Sequence, residues 1–231
     1  MKGIFYLTNF VLGTCLASHA AVICDRFLTA DFMLGRSRCS ACHSTLNLLD
    51  ELPIISYFWL RGKCRYCQAS IPVKLPIIEI IGGFAYTSLD FSTSTGWLTA
   101  LLLFSLLLAA ICDYTQQEFY LVMLLPAIIL ALSQVGNLRY YQLLEYIELL
   151  PILITLICYT CAGKFGSGDL IIYLILVLYF GPTFTNHVLL SAALFFVAQF
   201  LFEIKSASAQ KATAFVPYIF LGLVVQLLAE L

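Results

Sequence analysis

Eight apolar stretches, each close to the length needed to cross a bilayer, leave this chain few folds to choose from. A spanning helix takes roughly 20 apolar residues, within a range of about 17 to 25. Such stretches run over residues 3–24, 73–90, 97–113, 119–136, 143–162, 169–185, 187–204 and 213–231. Of the 231 residues, 61% are hydrophobic and 11% charged. An ordinary soluble domain carries about 25% charged residues, and a chain this apolar cannot cover itself with polar surface. The expected fold class is therefore all-α: a polytopic integral membrane protein of about eight transmembrane helices. The first run has the outline of a signal peptide, with Lys2 ahead of it and Ser18-His19-Ala20 within it. Its dense positive charges follow rather than precede it, so it reads as a retained span. The run at 73–90 is the least hydrophobic and includes Glu79. The run at 143–162 contains Glu145 and Glu148, which places the start of its apolar part near Leu149.

Orientation follows from Lys and Arg. The loops opposite the termini are 25–72, 114–118, 163–168 and 205–212. They hold Arg26, Arg36, Arg38, Arg61, Lys63, Arg65, Lys164, Lys205 and Lys211, with Lys74 at the margin; the other side holds only Lys2 and Arg139. The bias makes the 25–72 loop cytoplasmic and both termini external. The chain then divides into a first transmembrane helix (1–24), a cytoplasmic four-cysteine loop (25–72) and a helical membrane core (73–231). A net charge of −1 gives no basic field for nucleic acid, and the expected environment is a lipid bilayer.

The loop carries four of the nine cysteines, as Cys39-Ser40-Ala41-Cys42 and Cys64-Arg65-Tyr66-Cys67. Two C-x-x-C pairs separated by about 15–20 residues form a zinc signature, and the 21-residue gap here is only slightly longer. Each pair curls into a turn that aims two thiolates at one ion, and two such turns close a tetrahedral shell. The shell has no open position, so the zinc is expected to be structural. Arg38, Lys63 and Arg65 are expected to offset the charge of four thiolates. Two alternatives stand beside this: an unmetallated pair of dithiols, and His43 as a substitute ligand.

Two acids lie at membrane depth, where charge is costly by about 2.5–3.5 kcal/mol on insertion scales. Asp113 ends the third apolar run and Asp169 opens the sixth, within Gly166-Ser167-Gly168-Asp169. Alone, Asp113 could mark a helix end at the interface, and Asp169 could be an N-cap. Gly166 and Gly168 permit unusual backbone angles or a close approach. Together the two acids share one depth and can form a dyad that holds a single proton between them. One then takes a proton from water while the other polarises a scissile carbonyl. That is aspartic-protease chemistry at a membrane surface.

These residues resemble a known family, the bacterial type 4 prepilin peptidases (prepilin leader peptidase/N-methyltransferases), which are GxGD aspartyl proteases. The resemblance is densest from Arg36 to Gly83. It rests there on the two cysteine pairs, on Leu52-Pro53-Ile54-Ile55-Ser56-Tyr57, on Leu60-Arg61-Gly62-Lys63 and on Pro76-Ile77-Ile78-Glu79. Asp113, Gly166-Ser167-Gly168-Asp169 and Pro217 with Leu221-Gly222 extend it along the chain. The resemblance implies that Asp113 and Asp169 are the catalytic pair, that Gly166 and Gly168 support them, and that the four cysteines bind zinc. It implies prepilin or pseudopilin precursors as substrates, cut behind a basic leader at the cytoplasmic face. It further implies methylation of the new N-terminus with S-adenosylmethionine. The compact chain resembles the Gram-positive branch that serves competence pseudopilins. Two segments depart from the family pattern: Tyr114-Thr115-Gln116-Gln117-Glu118 after the first aspartate, and Gly13-Thr14-Cys15-Leu16-Ala17-Ser18 near the N-terminus. Glu79 is a candidate contact for the basic leader or a cofactor amine, or else the partner of a neighbouring polar group.

Two other classes account for part of the pattern. An ion-coupled membrane transporter using paired intramembrane aspartates explains the acids but not the cysteines. A membrane adaptor with a zinc knuckle explains the cysteines but leaves the acids idle.

Overall fold

The structure, a computed structural model, describes residues 2–27, 36–163, 165–204 and 214–230. Lys164, Lys205 and Lys211, three of the charges that set the orientation, lie outside them. Each apolar stretch becomes one helix. In order these are α1 (Lys2–Arg26), then after a short helix α2 (Ile55–Trp59) the run α3 (Lys74–Thr87), α4 (Ser94–Gln116), α5 (Leu121–Ser133), α6 (Leu143–Cys161), α7 (Ser167–Phe180), α8 (Pro182–Ile204) and α9 (Val216–Ala229). Short 3-10 turns occupy Leu48–Asp50 and Val135–Tyr140. Among the described residues, extended pairing is confined to two isolated bridges in the polar loop.

The spans are unequal. Helices α1, α4, α6 and α8 are long and apolar enough to cross a membrane. The other four have 13 or 14 residues, about 20 Å of helix against a hydrocarbon core of about 30 Å. One boundary differs clearly from that expected. The break between α7 and α8 falls at Gly181-Pro182 rather than near residue 186. Gly181 takes φ 94° and ψ 163°, a conformation open to glycine alone, and Pro182 then starts α8, where its missing N–H costs nothing. Helix α6 starts at Leu143, as the run at 143–162 predicts, and Glu145 is used there as a cap. Its Oε2 accepts the Gln142 N–H at 2.8 Å, closing a capping box.

The chain forms two compact units, one up to Leu89 and one from Asp90. In the first, α1 and α3 lie against each other through small residues. A Cβ added at Gly82 would stand 2.3 Å from Ala17 Cβ, and one at Gly13 would stand 2.5 Å from the Gly82 carbonyl oxygen. Small residues permit such backbone approach between helices in lipid, where apolar burial gives no drive to pair. Asn9 Nδ2 donates to the Leu89 carbonyl at 2.7 Å and finishes the end of α3. In the second unit α4 is largely enclosed, with Leu102, Leu103 and Ala109 fully buried. It packs on α5 and α9, while α8 packs on α9 and α7 on α5. The α8–α9 contact also needs a glycine, since a Cβ on Gly222 would stand 2.4 Å from the Val188 carbonyl oxygen.

Candidate functional site

Asp113 lies in the last turn of α4, one turn before the helix ends rather than at its end. Gln117 closes that helix in the left-handed conformation, with its N–H on the Asp113 carbonyl at 2.9 Å. The Asp113 residue is only 9% exposed. Its Oδ2 accepts the backbone N–H of Val216 at 3.1 Å. Val216 is the first residue of α9, and its N–H is among those a helix start leaves without an intrahelical partner. The following Pro217 has no N–H to offer. A buried carboxylate therefore meets a donor at the positive end of a helix.

Asp169 is the third residue of α7, and Gly166, not Asp169, is the cap. The Gly166 N–H donates to the Asp169 carboxylate, the reciprocal half of a capping box. The two glycines of the motif are needed for space. Gly166 sits at φ −69°, which any residue can adopt, but a Cβ there would be 2.8 Å from Asp169 Oδ2. A Cβ on Gly168 would be 2.4 Å from Cζ of Phe119. Phe165 and Phe215 meet edge to face with centroids 5.5 Å apart, joining the segments that lead into α7 and α9. The carboxylates of Asp113 and Asp169 are close enough to interact electrostatically.

The four loop cysteines converge as the spacing predicts. Their Sγ atoms all lie within 4.8 Å of one another, a group that can hold a metal ion. Cys39 and Cys67 Sγ are 3.8 Å apart, the edge of a tetrahedron with bonds of about 2.3 Å to a central zinc. The two pairs are built alike. Cys39 N–H bonds the Ser44 carbonyl at 3.0 Å and His43 N–H bonds the Cys39 carbonyl at 2.9 Å; Cys64 and Gln68 repeat this with the carbonyls of Ala69 and Cys64 at 2.8 and 3.0 Å. His43 and Gln68 both turn through φ near 60°. His43 thus closes the first turn, and the clustered ligand group is made of the cysteines alone.

The thiols differ in acidity. Hydrogen bonds from the Ser44 hydroxyl and backbone bring Cys42 down to about 6. At Cys67 the Ala69 backbone pulls the thiol down, but desolvation and the neighbouring thiols outweigh it and push it up to about 11. Four negative sulfurs cannot gather without a cation to neutralise them. Arg65 does not supply that charge, contrary to the sequence expectation. Its guanidinium is committed to Asp50, with Nη2 2.7 Å and Nε 3.0 Å from Oδ1. The Asp50 side chain is almost fully buried, and sequence reasoning passed it over because nothing in its flanking residues marks it as enclosed.

Glu79, in α3, points to the loop. Its Oε2 accepts the Ile54 N–H at 2.7 Å, and Ser18 of α1 also bonds it. Of the roles considered for Glu79, the structure shows the polar pairing. Ile54 stands at φ 62° and ψ −53°, an outlier for a β-branched residue. A cavity of about 480 Å³ opens beside Glu79, with Asp25, Arg38, Tyr57 and Lys74 in its wall.

Residues 11–92 match the family model of the bacterial peptidase A24 N-terminal domain. The prepilin leader peptidase/N-methyltransferase of Aeromonas hydrophila is 36% identical over 81 residues, 34% of this chain and 28% of that protein. The type 4 prepilin-like proteins leader peptide-processing enzyme of Escherichia coli O78:H11 (strain H10407 / ETEC) is 35% identical over 88 residues, 36% of this chain and 32% of the relative. The prepilin leader peptidase/N-methyltransferase of Pseudomonas putida is 32% identical over 127 residues, 53% of this chain and 41% of the relative. The matched stretch thus spans less than half of each of these relatives. No solved structure matches the chain. Residues 11–92, which carry the cysteine turns, are thus similar to the N-terminal domain of bacterial A24 peptidases and to the matching part of prepilin leader peptidase/N-methyltransferases.

Proposed function

We propose that the chain is a membrane-embedded aspartic endopeptidase that removes the leader from type 4 prepilins or pseudopilins at the cytoplasmic face, with Asp113 and Asp169 as its catalytic pair. The observation that carries this reading is the placement of Asp113: a carboxylate buried at membrane depth, fixed by the Val216 N–H and within electrostatic reach of Asp169. The pair carries one proton between them. The ionised member takes a proton from water as the water oxygen adds to the scissile carbonyl carbon. The protonated member gives its proton to the carbonyl oxygen. Collapse of the resulting diol breaks the C–N bond, and the leaving nitrogen takes up a proton.

The same reading includes methylation of the new N-terminal amine, on the names of the relatives. The methyl group would come from S-adenosylmethionine. The cavity beside Glu79 is within the size range of small-ligand sites. Zinc at Cys39, Cys42, Cys64 and Cys67 is structural, because the four thiolates fill its tetrahedral shell. The count of Lys and Arg supports a cytoplasmic loop and external termini, and the product fits assembly of a pilus, competence or type II secretion filament.

The test is cleavage of a purified prepilin in detergent by the parent, Asp113→Asn and Asp169→Asn proteins. Each variant is expected to fold and to leave the leader attached. Leader removal at the parental rate by either one would overturn the assignment of the pair.

A further inference from the structure

Six large apolar side chains stand exposed in the polar loop: Leu48 (73%), Leu49, Leu52, Ile55, Phe58 and Trp59 (78%). The first two belong to the 3-10 turn and the last three to α2, where positions 55, 58 and 59 share one helical face. The turn and α2 pack together, so the six form one platform. Soluble surfaces rarely display so many large apolar groups together.

Two polar clamps keep the platform in this form. The bidentate Arg65–Asp50 pair ties the 3-10 turn to the second cysteine turn. The Glu79–Ile54 bond ties the start of α2 to α3. The second clamp also sets a depth. Glu79 lies five residues into α3 from Lys74, about 7.5 Å along the helix axis. Interfacial helices seat their apolar faces about 5–10 Å into the boundary between headgroups and acyl chains. Arg61, Lys63 and Lys74 are exposed, the first two just after α2 in sequence and the third in one cavity wall with Ser56 and Leu60, and they suit anionic headgroups.

We propose that residues 48–59 are a lipid-seated platform, with Leu48, Leu49, Ile55, Phe58 and Trp59 lying in the membrane interface on the side of the cysteine loop. The loop is then anchored to the bilayer by its own side chains as well as by the helices at its ends. The proposal rests on the helices crossing a membrane and not on the aspartate pair, so each can fail without the other.

Trp59 and Trp97 are the two tryptophans, which makes the test direct. The full chain carrying Trp97→Phe is reconstituted into phosphatidylcholine vesicles with and without phosphatidylglycerol. Trp59 emission is then read with lipids brominated near the headgroup or near the chain end, and with aqueous iodide. Should Trp97→Phe fold poorly, the parent spectrum minus that of Trp59→Phe gives the same reading. Expected are blue-shifted emission, stronger quenching by the shallow bromines than by the deep ones, and protection from iodide. Full iodide quenching with no effect of bromine would overturn the proposal by placing Trp59 in water. Protection from both quenchers would overturn it in favour of a protein cover, such as a second copy of the chain.

Discussion

Val216 N–H meets Asp113 Oδ2 at 3.1 Å and so links the start of α9 to the last turn of α4 across 103 positions of sequence. The link separates two roles of one side chain, accepting a hydrogen bond and carrying a charge. Asp113→Asn keeps an acceptor for Val216 and loses the charge. Asp113→Leu loses both and leaves a buried N–H unpaired, at about 1–3 kcal/mol. Thermal unfolding in detergent is expected to place the Asn variant near the parent and the Leu variant clearly below it. Leader cleavage is expected to fall by about 10²–10⁴-fold in both. A Leu variant as stable as the parent would show that the bond contributes nothing to the fold.

Gly168 and Phe119 form a second pair with a signed expectation. Gly168→Ala places a methyl group where the Phe119 ring stands and is expected to lower both stability and cleavage. Phe119→Leu makes room for that methyl. The double variant is therefore expected to recover part of what Gly168→Ala loses, with a coupling of about 0.5–3 kcal/mol. Strict additivity of the two changes would sink this account of the glycine.

Metal content is the third test. Freshly purified protein is expected to contain about one zinc per chain, removable by chelation. Cys39→Ser and Cys64→Ser should each lower the zinc content. Elemental analysis decides the point, and zinc-free protein from unchelated preparations would count against the structural metal.

Once the metal is removed, the cysteines should differ in reactivity. Only the thiolate reacts with iodoacetamide. At pH 7 Cys42, held at about 6, is mostly ionised, while Cys67, at about 11, is almost wholly protonated. Peptide mapping is expected to find Cys42 labelled first and Cys67 last. Labelling of Cys42 should slow as the pH falls below 6, its advantage over Cys67 should shrink as the pH rises toward 11, and Ser44→Ala should reduce that advantage. Equal labelling of the two would refute the role given to Ser44.

Glu79 offers a fifth test. Amide exchange at Ile54 is expected to be slow in the parent and in Glu79→Gln, whose side-chain oxygen can still accept. It should be fast in Glu79→Leu, where the strained turn loses its anchor.

Helices and cysteines were legible in the sequence for a simple reason: both are patterns in neighbouring residues. Apolar run length marked every helix but the short α2, and the C-x-x-C spacing marked the cysteine group. The α7–α8 break was missed by a few residues because Gly181-Pro182 is a weaker mark in sequence than the left-handed glycine it encodes. Partners far apart in sequence were not legible at all. The apolar run at 213–231 marked α9, but nothing local showed that Val216 would serve Asp113. Glu79 stood out as a charge in an apolar run, yet its partner is a backbone N–H at residue 54, which no side-chain pattern announces. Arg65 was assigned to the thiolates because they are near in sequence, whereas its charge goes to Asp50.

The Asn9–Leu89 bond carries a consequence for how the chain is made. Its partners are 80 residues apart, and at roughly 5–20 residues per second α1 leaves the ribosome seconds before α3 exists. During that interval Asn9, Thr14 and Ser18 sit in a helix whose glycine seam has no mate. The first helix is thus an open question put to the membrane, answered only when α3 arrives, and a nascent chain stalled before residue 87 would present that unanswered surface to whatever machinery surveys incomplete membrane proteins.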